Sequence, residues 1–170
     1  MEDLHDRWPH RWISPKVKVK ESKIHGLGTF TTEPISKGEV VRVDGGIIVP
    51  KSNIEEYREI IGGIRGIQID DDFFICPTEP KGGCYNHSCD ANLGYKSSIV
   101  MIATKDIKAG EEVAIDYSYS EANIKPFSCN CGSKICRKTI TSNDWKNPEF
   151  QEKFKEYFTP YIKSKIDGLN

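Results

Sequence analysis

Tyr85-Asn86-His87-Ser88-Cys89-Asp90-Ala91-Asn92 is the stretch on which the reading of this chain turns. Seven of its eight side chains are polar or reactive, and it lies between two apolar segments, 64–75 and 98–103, that read as strands. A loop so rich in hydrogen-bonding groups between core strands suits a binding site. The plainer reading is an Asn/Asp turn with His87 satisfied by backbone.

Downstream, Gly110-Glu111-Glu112-Val113-Ala114-Ile115-Asp116-Tyr117 predicts a turn and then a strand over 113–117. Tyr117 and Tyr119 share a face if that strand runs on. After Lys125-Pro126 the composition shifts, and Cys129-Asn130-Cys131-Gly132 with Cys136 gives Cys-x-Cys-x4-Cys spacing. Cysteines two apart are poorly placed to bridge each other. Three thiolates on a glycine-bearing loop suit a tetrahedral zinc, whose fourth ligand would be Cys76, Cys84, Cys89 or His87. Such a zinc would staple the C-terminal segment to the rest and order both.

Upstream, Val17 and Val19 alternate with Lys16, Lys18 and Lys20, as in a half-buried strand, and a turn carrying Gly26-Leu27-Gly28 follows. The turn's glycines let backbone approach a ligand closely. No third glycine and no helix follow at the spacing of a dinucleotide site. The runs 40–43 and 47–49, split by Asp44-Gly45-Gly46, predict a hairpin. Ser52 and Glu55 predict a capping box for a short helix bearing Ile54, Tyr57, Ile60 and Ile61 and closed by Gly62. Asp70-Asp71-Asp72 reads as a solvated turn, or as an acidic rim that attracts basic peptides. Near the end, Asn147-Pro148 starts a helix. Its stripe of Phe150, Phe154, Tyr157, Phe158, Tyr161 and Ile162 docks on the main domain, and Pro160 kinks or splits it. Residues 1–15 are expected to form an arm that packs Trp8 and Trp12 on the domain.

Bulk properties narrow the function classes. A chain of 170 residues is the size of one ordinary domain. The net charge of −1 provides no global basic field for nucleic acid. The sequence has no apolar run long enough to span a bilayer, and residues 1–8 do not resemble a secretory signal. An intracellular, reducing compartment, cytoplasmic or nuclear, is therefore expected, where six cysteines suggest metal or chemistry before disulfides. Many short strands with few helices exclude a doubly wound nucleotide fold.

Taken in order, four segments resemble the SET-domain family of protein-lysine methyltransferases. They are Ile24-His25-Gly26-Leu27-Gly28-Thr29-Phe30, Asn86-His87-Ser88-Cys89 with Asn92, Gly110-Glu111-Glu112 through Asp116-Tyr117, and Cys129-Asn130-Cys131-Gly132…Cys136-Arg137. The last is similar to the family's post-SET zinc motif. The resemblance implies a mainly β fold of several small curved sheets around a pseudoknot, with a C-terminal zinc-binding segment and helix. Together with the residue-level reading it divides the chain into an arm at 1–15, a SET domain at 16–120, a post-SET motif at 125–140 and a helical segment at 143–170, the last without an assigned family counterpart.

The resemblance also implies S-adenosylmethionine as methyl donor, contacted by His25, Gly26, Leu27, Gly28, Tyr85, Asn86, His87 and Tyr117, and one structural zinc on Cys89, Cys129, Cys131 and Cys136. The expected substrate is a lysine in a histone or other basic protein. Two departures from the family stand out: Ile115 where many members have Phe or Tyr, and Lys138 where Gly is common.

Methyl transfer to lysine is an in-line displacement in which positioning and desolvation dominate. The amine must lose its proton, and a narrow apolar channel favours the neutral form. Tyr117 is the candidate catalytic residue, holding methyl group and amine in line. It need not act as a base, since a free tyrosine titrates near pH ~10. Tyr119, Ile115 and Tyr85 are the candidate channel walls. Two rival classes are a non-catalytic zinc-stabilised peptide-binding adaptor on the same fold and a small exported disulfide protein; Cys-x-Cys spacing disfavours the latter.

Overall fold

The computed structural model describes residues 7–62, 66–78 and 84–169. Its strands are short because glycines, prolines and polar turns break the β-branched runs every few residues. In chain order they are β1 (Trp12–Ile13), β2 (Val17–Glu21), β3 (Leu27–Thr31), β4 (Val40–Val43), β5 (Ile47–Pro50), β6 (Ile67–Gln68), β7 (Phe73–Cys76), β8 (Leu93–Tyr95), β9 (Val100–Ala103), β10 (Glu112–Val113), β11 (Phe127–Ser128) and β12 (Thr139–Ile140). The helices are α1 (Ile54–Ile60), α2 (Pro148–Phe154) and α3 (Pro160–Asp167). The strands form four small sheets, ordered β1-β4-β9-β8, β10-β3-β2, β5-β7-β6 and β11-β12. Every strand pair within them is antiparallel.

The expected hairpin at 40–49 does not form: β4 pairs with β1 and β9, while β5 pairs with β7 in another sheet. The glycines that suggested a turn serve instead as a backbone crossing. A Cβ on Gly45 would run into the His10 carbonyl, and one on Gly46, at φ +139°, into the Cys76 carbonyl. The acidic run Asp70–Asp72 is the turn of a real hairpin, β6–β7, closed by Ile69 N–H to the Phe73 carbonyl. Residues 64 and 65 of the expected strand lie outside the described residues.

The helix after β5 is present, but its capping box is not. The chain enters through a 3-10 turn, Lys51–Asn53, and Asn53 is the N-cap without a side-chain bond to the helix. The Ser52 hydroxyl is engaged by Asn53 instead. Ile54, Tyr57 and Ile61 face a satellite core with Val49 and Phe74, and Gly62 ends the helix at φ +77°. Ile60 points to solvent.

Strand β2 forms where alternation predicts it, yet only Val17 is half-buried and Val19 is exposed. The arm prediction fails for its tryptophans. Trp8 and Trp12 are 59% and 45% exposed, while Arg11 and Ser14 are the buried residues among the described part of that segment. Residues 1–6 lie outside the described residues.

Two segments lace together at the centre. Ile115 bridges in parallel to both His87 and Leu93. Its N–H donates to the Asn86 carbonyl and its carbonyl accepts from Ser88 N–H. Asn92 closes the joint by accepting from Ala114 N–H at 2.8 Å and donating to the Glu112 carbonyl at 2.9 Å. The expected strand over 113–117 stops at Val113, and Tyr117–Tyr119 form a 3-10 turn capped by the Asp116 carboxylate.

The main core runs from Ile35 and Val41 through Leu93, Met101 and Val113 into the C-terminal helices, where Trp145, Phe158 and Ile162 join the same cluster. Asn147 caps α2 by accepting from Glu149 and Phe150 N–H, with Pro148 at its first position. Pro160 splits the stripe as expected, starting α3 under a Thr159 cap.

Candidate functional site

The lacing of loop 84–92 with segment 112–117 brings the Gly26-Leu27-Gly28 turn against both. One cavity of about 460 Å³ opens where they meet. Its volume is in the range that takes a drug-sized ligand. His25, Gly26, Leu27, Tyr85, Asn86, Ile115 and Tyr117 line it, so most of the sequence-predicted site residues are gathered in one place.

Gly28 and His87 stand behind this wall. A Cβ on Gly28 would strike the Glu112 carboxylate. That close approach lets Glu112 accept from the Ser22 hydroxyl and from Asn86 Nδ2, both at 2.8 Å. Asn86 Nδ2 also donates to the Leu27 carbonyl at 3.1 Å. One amide therefore ties the glycine turn, the polar loop and β10 together. The Tyr117 hydroxyl donates to the Tyr85 carbonyl at 3.1 Å, which fixes its ring at the cavity wall. His87 packs edge-on to that ring, with centroids 5.3 Å apart.

Tyr119 is a correction. It is 1% exposed and does not line the cavity. Because the chain turns into a 3-10 helix after Asp116, Tyr117 and Tyr119 point apart. Tyr119 is packed among Phe150, Phe154 and Phe158. Burial pushes its phenol well above the ordinary range.

The cavity lining also holds residues the sequence did not single out. Arg42 and Asp44 form a buried ion pair there, and the guanidinium lies 5.0 Å from the centre of the Tyr85 ring. Glu121, 2% exposed, pairs with Arg58 at 2.8 Å. Tyr95 and Met101 also line the cavity. Burial pushes the Tyr85 phenol up to about 12 and Tyr95 higher still, so both hydroxyls keep their protons near neutrality. Each of the two lining carboxylates, Asp44 and Glu121, faces an arginine. Only Asp44-Gly45-Gly46 hinted at these residues, and its glycines pointed to a turn. The acidic turn 70–72 does not line the cavity; Asp71 instead holds Lys165 at 2.6 Å and the Tyr161 hydroxyl at 2.8 Å.

The cysteines form a second centre. The sulfurs of Cys89, Cys129, Cys131 and Cys136 all lie within 4.8 Å of one another. Cys89 and Cys129 are 3.8 Å apart, close to the ~3.8 Å edge of a tetrahedron with Zn–S bonds of about 2.3 Å. Burial raises the Cys89 and Cys129 thiols. It works to raise Cys131 as well, but hydrogen bonds involving Ser133, Cys89 and Cys129 together outweigh it and bring that thiol to about 6. Cys76 and Cys84 stay outside the cluster. The donor set therefore fits zinc, with Cys89 completing the three-cysteine motif.

Comparisons with known proteins agree with this geometry. The family model described as SET domain matches residues 26–118. The histone-lysine N-methyltransferase trithorax of Drosophila virilis is 35% identical over 139 residues, covering 73% of this chain and 4% of that protein. The H3 lysine-4 specific histone-lysine N-methyltransferase of Schizosaccharomyces pombe is 37% identical over 131 residues, covering 68% of this chain and 14% of that one. The chain thus spans a small part of the length of these relatives. The methyltransferase domain of human histone-lysine N-methyltransferase SETMAR shares the fold, with a TM-score of 0.57 and 24% identity over 74% of this chain and 58% of that one. KRYPTONITE, solved with mCHG DNA and SAH, superposes with a TM-score of 0.55 and 25% identity over 72% of this chain and 28% of that one. With the family model covering more than half of its residues, this chain belongs to the SET domain family.

Proposed function

We propose that this chain is a protein-lysine N-methyltransferase that draws its methyl group from S-adenosylmethionine. The observation that carries the reading is the meeting of three distant segments, around His25–Leu27, Tyr85–Asn86 and Ile115–Tyr117, at one cavity with a tethered tyrosine hydroxyl in its wall. The bound donor supplies an electrophilic methyl carbon; everything else falls to the chain. His25, Gly26, Leu27, Gly28, Tyr85, Asn86 and His87 form or back the donor side. Tyr117 is the catalytic residue, its hydroxyl aligning the amine with the methyl group. Tyr85 and Ile115 border the lysine, with Tyr95 joining them. Asp44 and Glu121 are paired with Arg42 and Arg58, and a low-dielectric channel favours the uncharged amine. One structural zinc sits on Cys89, Cys129, Cys131 and Cys136, within a post-SET segment at 125–140 that follows a SET domain at 16–120.

The relatives named above are histone-lysine methyltransferases, and one KRYPTONITE structure of this fold contains an H3(1-15) peptide. A histone H3 tail is therefore the substrate to test first, with a nuclear site of action. No helix among the described residues is long and apolar enough to cross a membrane. The test is transfer of labelled methyl from S-adenosylmethionine to histone H3 and to a mixed protein extract, with mass mapping of the modified lysine. Tyr117→Phe is expected to lower turnover about a hundredfold while the fold is kept, as for loss of one positioned hydrogen-bonding group. Unchanged turnover in that variant would remove Tyr117 from its role. Donor binding without label on any protein would point to the peptide-binding adaptor instead.

A further inference from the structure

Arg137 follows directly on the last cysteine of the metal cluster, and neither of its ends is idle. Its backbone N–H donates to Cys89 Sγ at 3.3 Å. At the far end of the side chain, Nη2 of its guanidinium donates to Asp116 Oδ2 at 2.7 Å. Asp116 is fully buried and immediately precedes Tyr117. Its other oxygen accepts from Ser118 N–H at 3.0 Å, so the carboxylate braces the turn on which Tyr117 sits. A second route leads back to the same sulfur. Tyr117 N–H lies 3.3 Å from His87 Nδ1, and His87 Nε2 lies 3.4 Å from Cys89 Sγ. With Nδ1 accepting from an amide, the ring proton belongs on Nε2, where it can donate to a Cys89 thiolate.

The contacts close into a ring: Cys89, His87, Tyr117, Asp116, Arg137 and again Cys89. The geometry points to Arg137 as a positioning residue for Tyr117, through which the order of the cysteine cluster fixes the catalytic hydroxyl. This inference rests on the methyltransferase reading above. The C-terminal segment holds Arg137 from outside the ring. The Phe150 ring lies 4.7 Å from its guanidinium carbon, and Asp144 Oδ2 approaches Nε at 3.2 Å without hydrogen-bond alignment. A guanidinium can hold Asp116, face Phe150 and approach Asp144 at once because it is planar and forked; an ammonium cannot. An error of about 1 Å in a reacting group can cost on the order of a hundredfold in rate. A brace on the Tyr117 backbone is therefore expected to act on turnover more than on donor affinity.

The test uses the full chain loaded with zinc and labelled with 13C at the tyrosine ring carbons, the Tyr117 line being assigned by its loss in Tyr117→Phe. For Arg137→Lys, which keeps a cation beside Asp116, the expectation is one bound zinc, donor affinity within about threefold of the parent, a displaced Tyr117 line and turnover down about tenfold. Removing zinc from the parent with a chelator should displace the Tyr117 line and leave that of Tyr161, which lies on α3 and is tied to Asp71 of the β6–β7 turn, in place. Asp144→Asn, which spares the Asp116 contact, keeps the question open to a clear answer if Arg137→Lys does not fold. It should move the Tyr117 line in the same direction by a smaller amount. An unmoved line and unchanged turnover in the variant that folds would overturn the inference. So would joint loss of zinc, donor binding and melting transition, which marks a structural role alone. If the parent itself transfers no methyl group, the methyltransferase reading fails, while the tyrosine line still decides whether the ring exists.

Discussion

Lys138 is the one non-glycine residue with positive φ among the described residues, at +67°. It follows Arg137, at a position where the sequence shows a lysine and the family resemblance leads one to expect glycine. Its carbonyl accepts from Cys129 N–H at 2.7 Å, so the left-handed turn closes the cysteine loop. An L-residue there costs about 1–2 kcal/mol, and glycine would lose about 0.5–1 kcal/mol of extra chain entropy on folding. Lys138→Gly should therefore stabilise the zinc-loaded protein by up to about 1 kcal/mol, read as a higher urea midpoint at unchanged slope. A lower midpoint would show that the exposed side chain contributes more than the turn costs. At Asp116 burial raises the carboxyl to about 6 although Arg137 pulls the other way. A folded pKa above the unfolded one gives stability that is full below about pH 4 and drains as pH rises toward 6. Asp116→Asn should flatten that part of the pH–stability curve, a result checked by urea midpoints at several pH values. Tyr117, Asn86 and the cysteines Cys129, Cys131 and Cys136 were legible because they sit in short motifs, whereas spacing left the fourth sulfur open and only the family resemblance singled out Cys89. Arg42, Asp44 and Glu121 were not: Arg42 and Asp44 carry no local motif at the end of β4, and Glu121 finds its partner Arg58 on α1, far away in the chain.

Elements were legible where their ends carry their own chemistry. Asn147-Pro148 starts a helix in the structure as in the sequence, and Pro160 splits the segment as expected, since cap and proline act within one turn. The 40–49 hairpin and the 113–117 strand were misread for the opposite reason: the partner of a short strand is chosen by packing far along the chain. Gly94 shows how tightly that packing is drawn. It sits in β8, where an added Cβ would meet the Tyr157 side chain, Cβ and ring edge, at 2.6–2.8 Å. Gly94→Ala should cost about 1–3 kcal/mol as overpacking, seen as a lower melting temperature. Adding Tyr157→Ala should recover part of that loss. A simple sum of the two single effects would mean that the helix does not press on β8.

At the scale of the molecule, the C-terminal helical segment, residues 143–170 in the sequence reading, behaves as part of the core. Trp145, Phe158 and Ile162 are 4%, 1% and 0% exposed and share a cluster with Leu93, Tyr95 and Met101. Burying each contributes about 1.5–3 kcal/mol, so the three together approach the about 5–15 kcal/mol that separates a folded domain from its unfolded chain. Their removal would also uncover Tyr119, whose ring packs against Phe150, Phe154 and Phe158. The full chain should therefore unfold in one transition when followed at once by helix signal and by tryptophan fluorescence, since Trp145 reports on the joint between the segment and the sheets. A chain ended after residue 142 should be insoluble or lack a cooperative transition even with zinc supplied. Two separate transitions in the full chain, or a stable truncated domain, would show instead that the helices are an attached unit, and the apolar face they cover would then have to be stable in water without them.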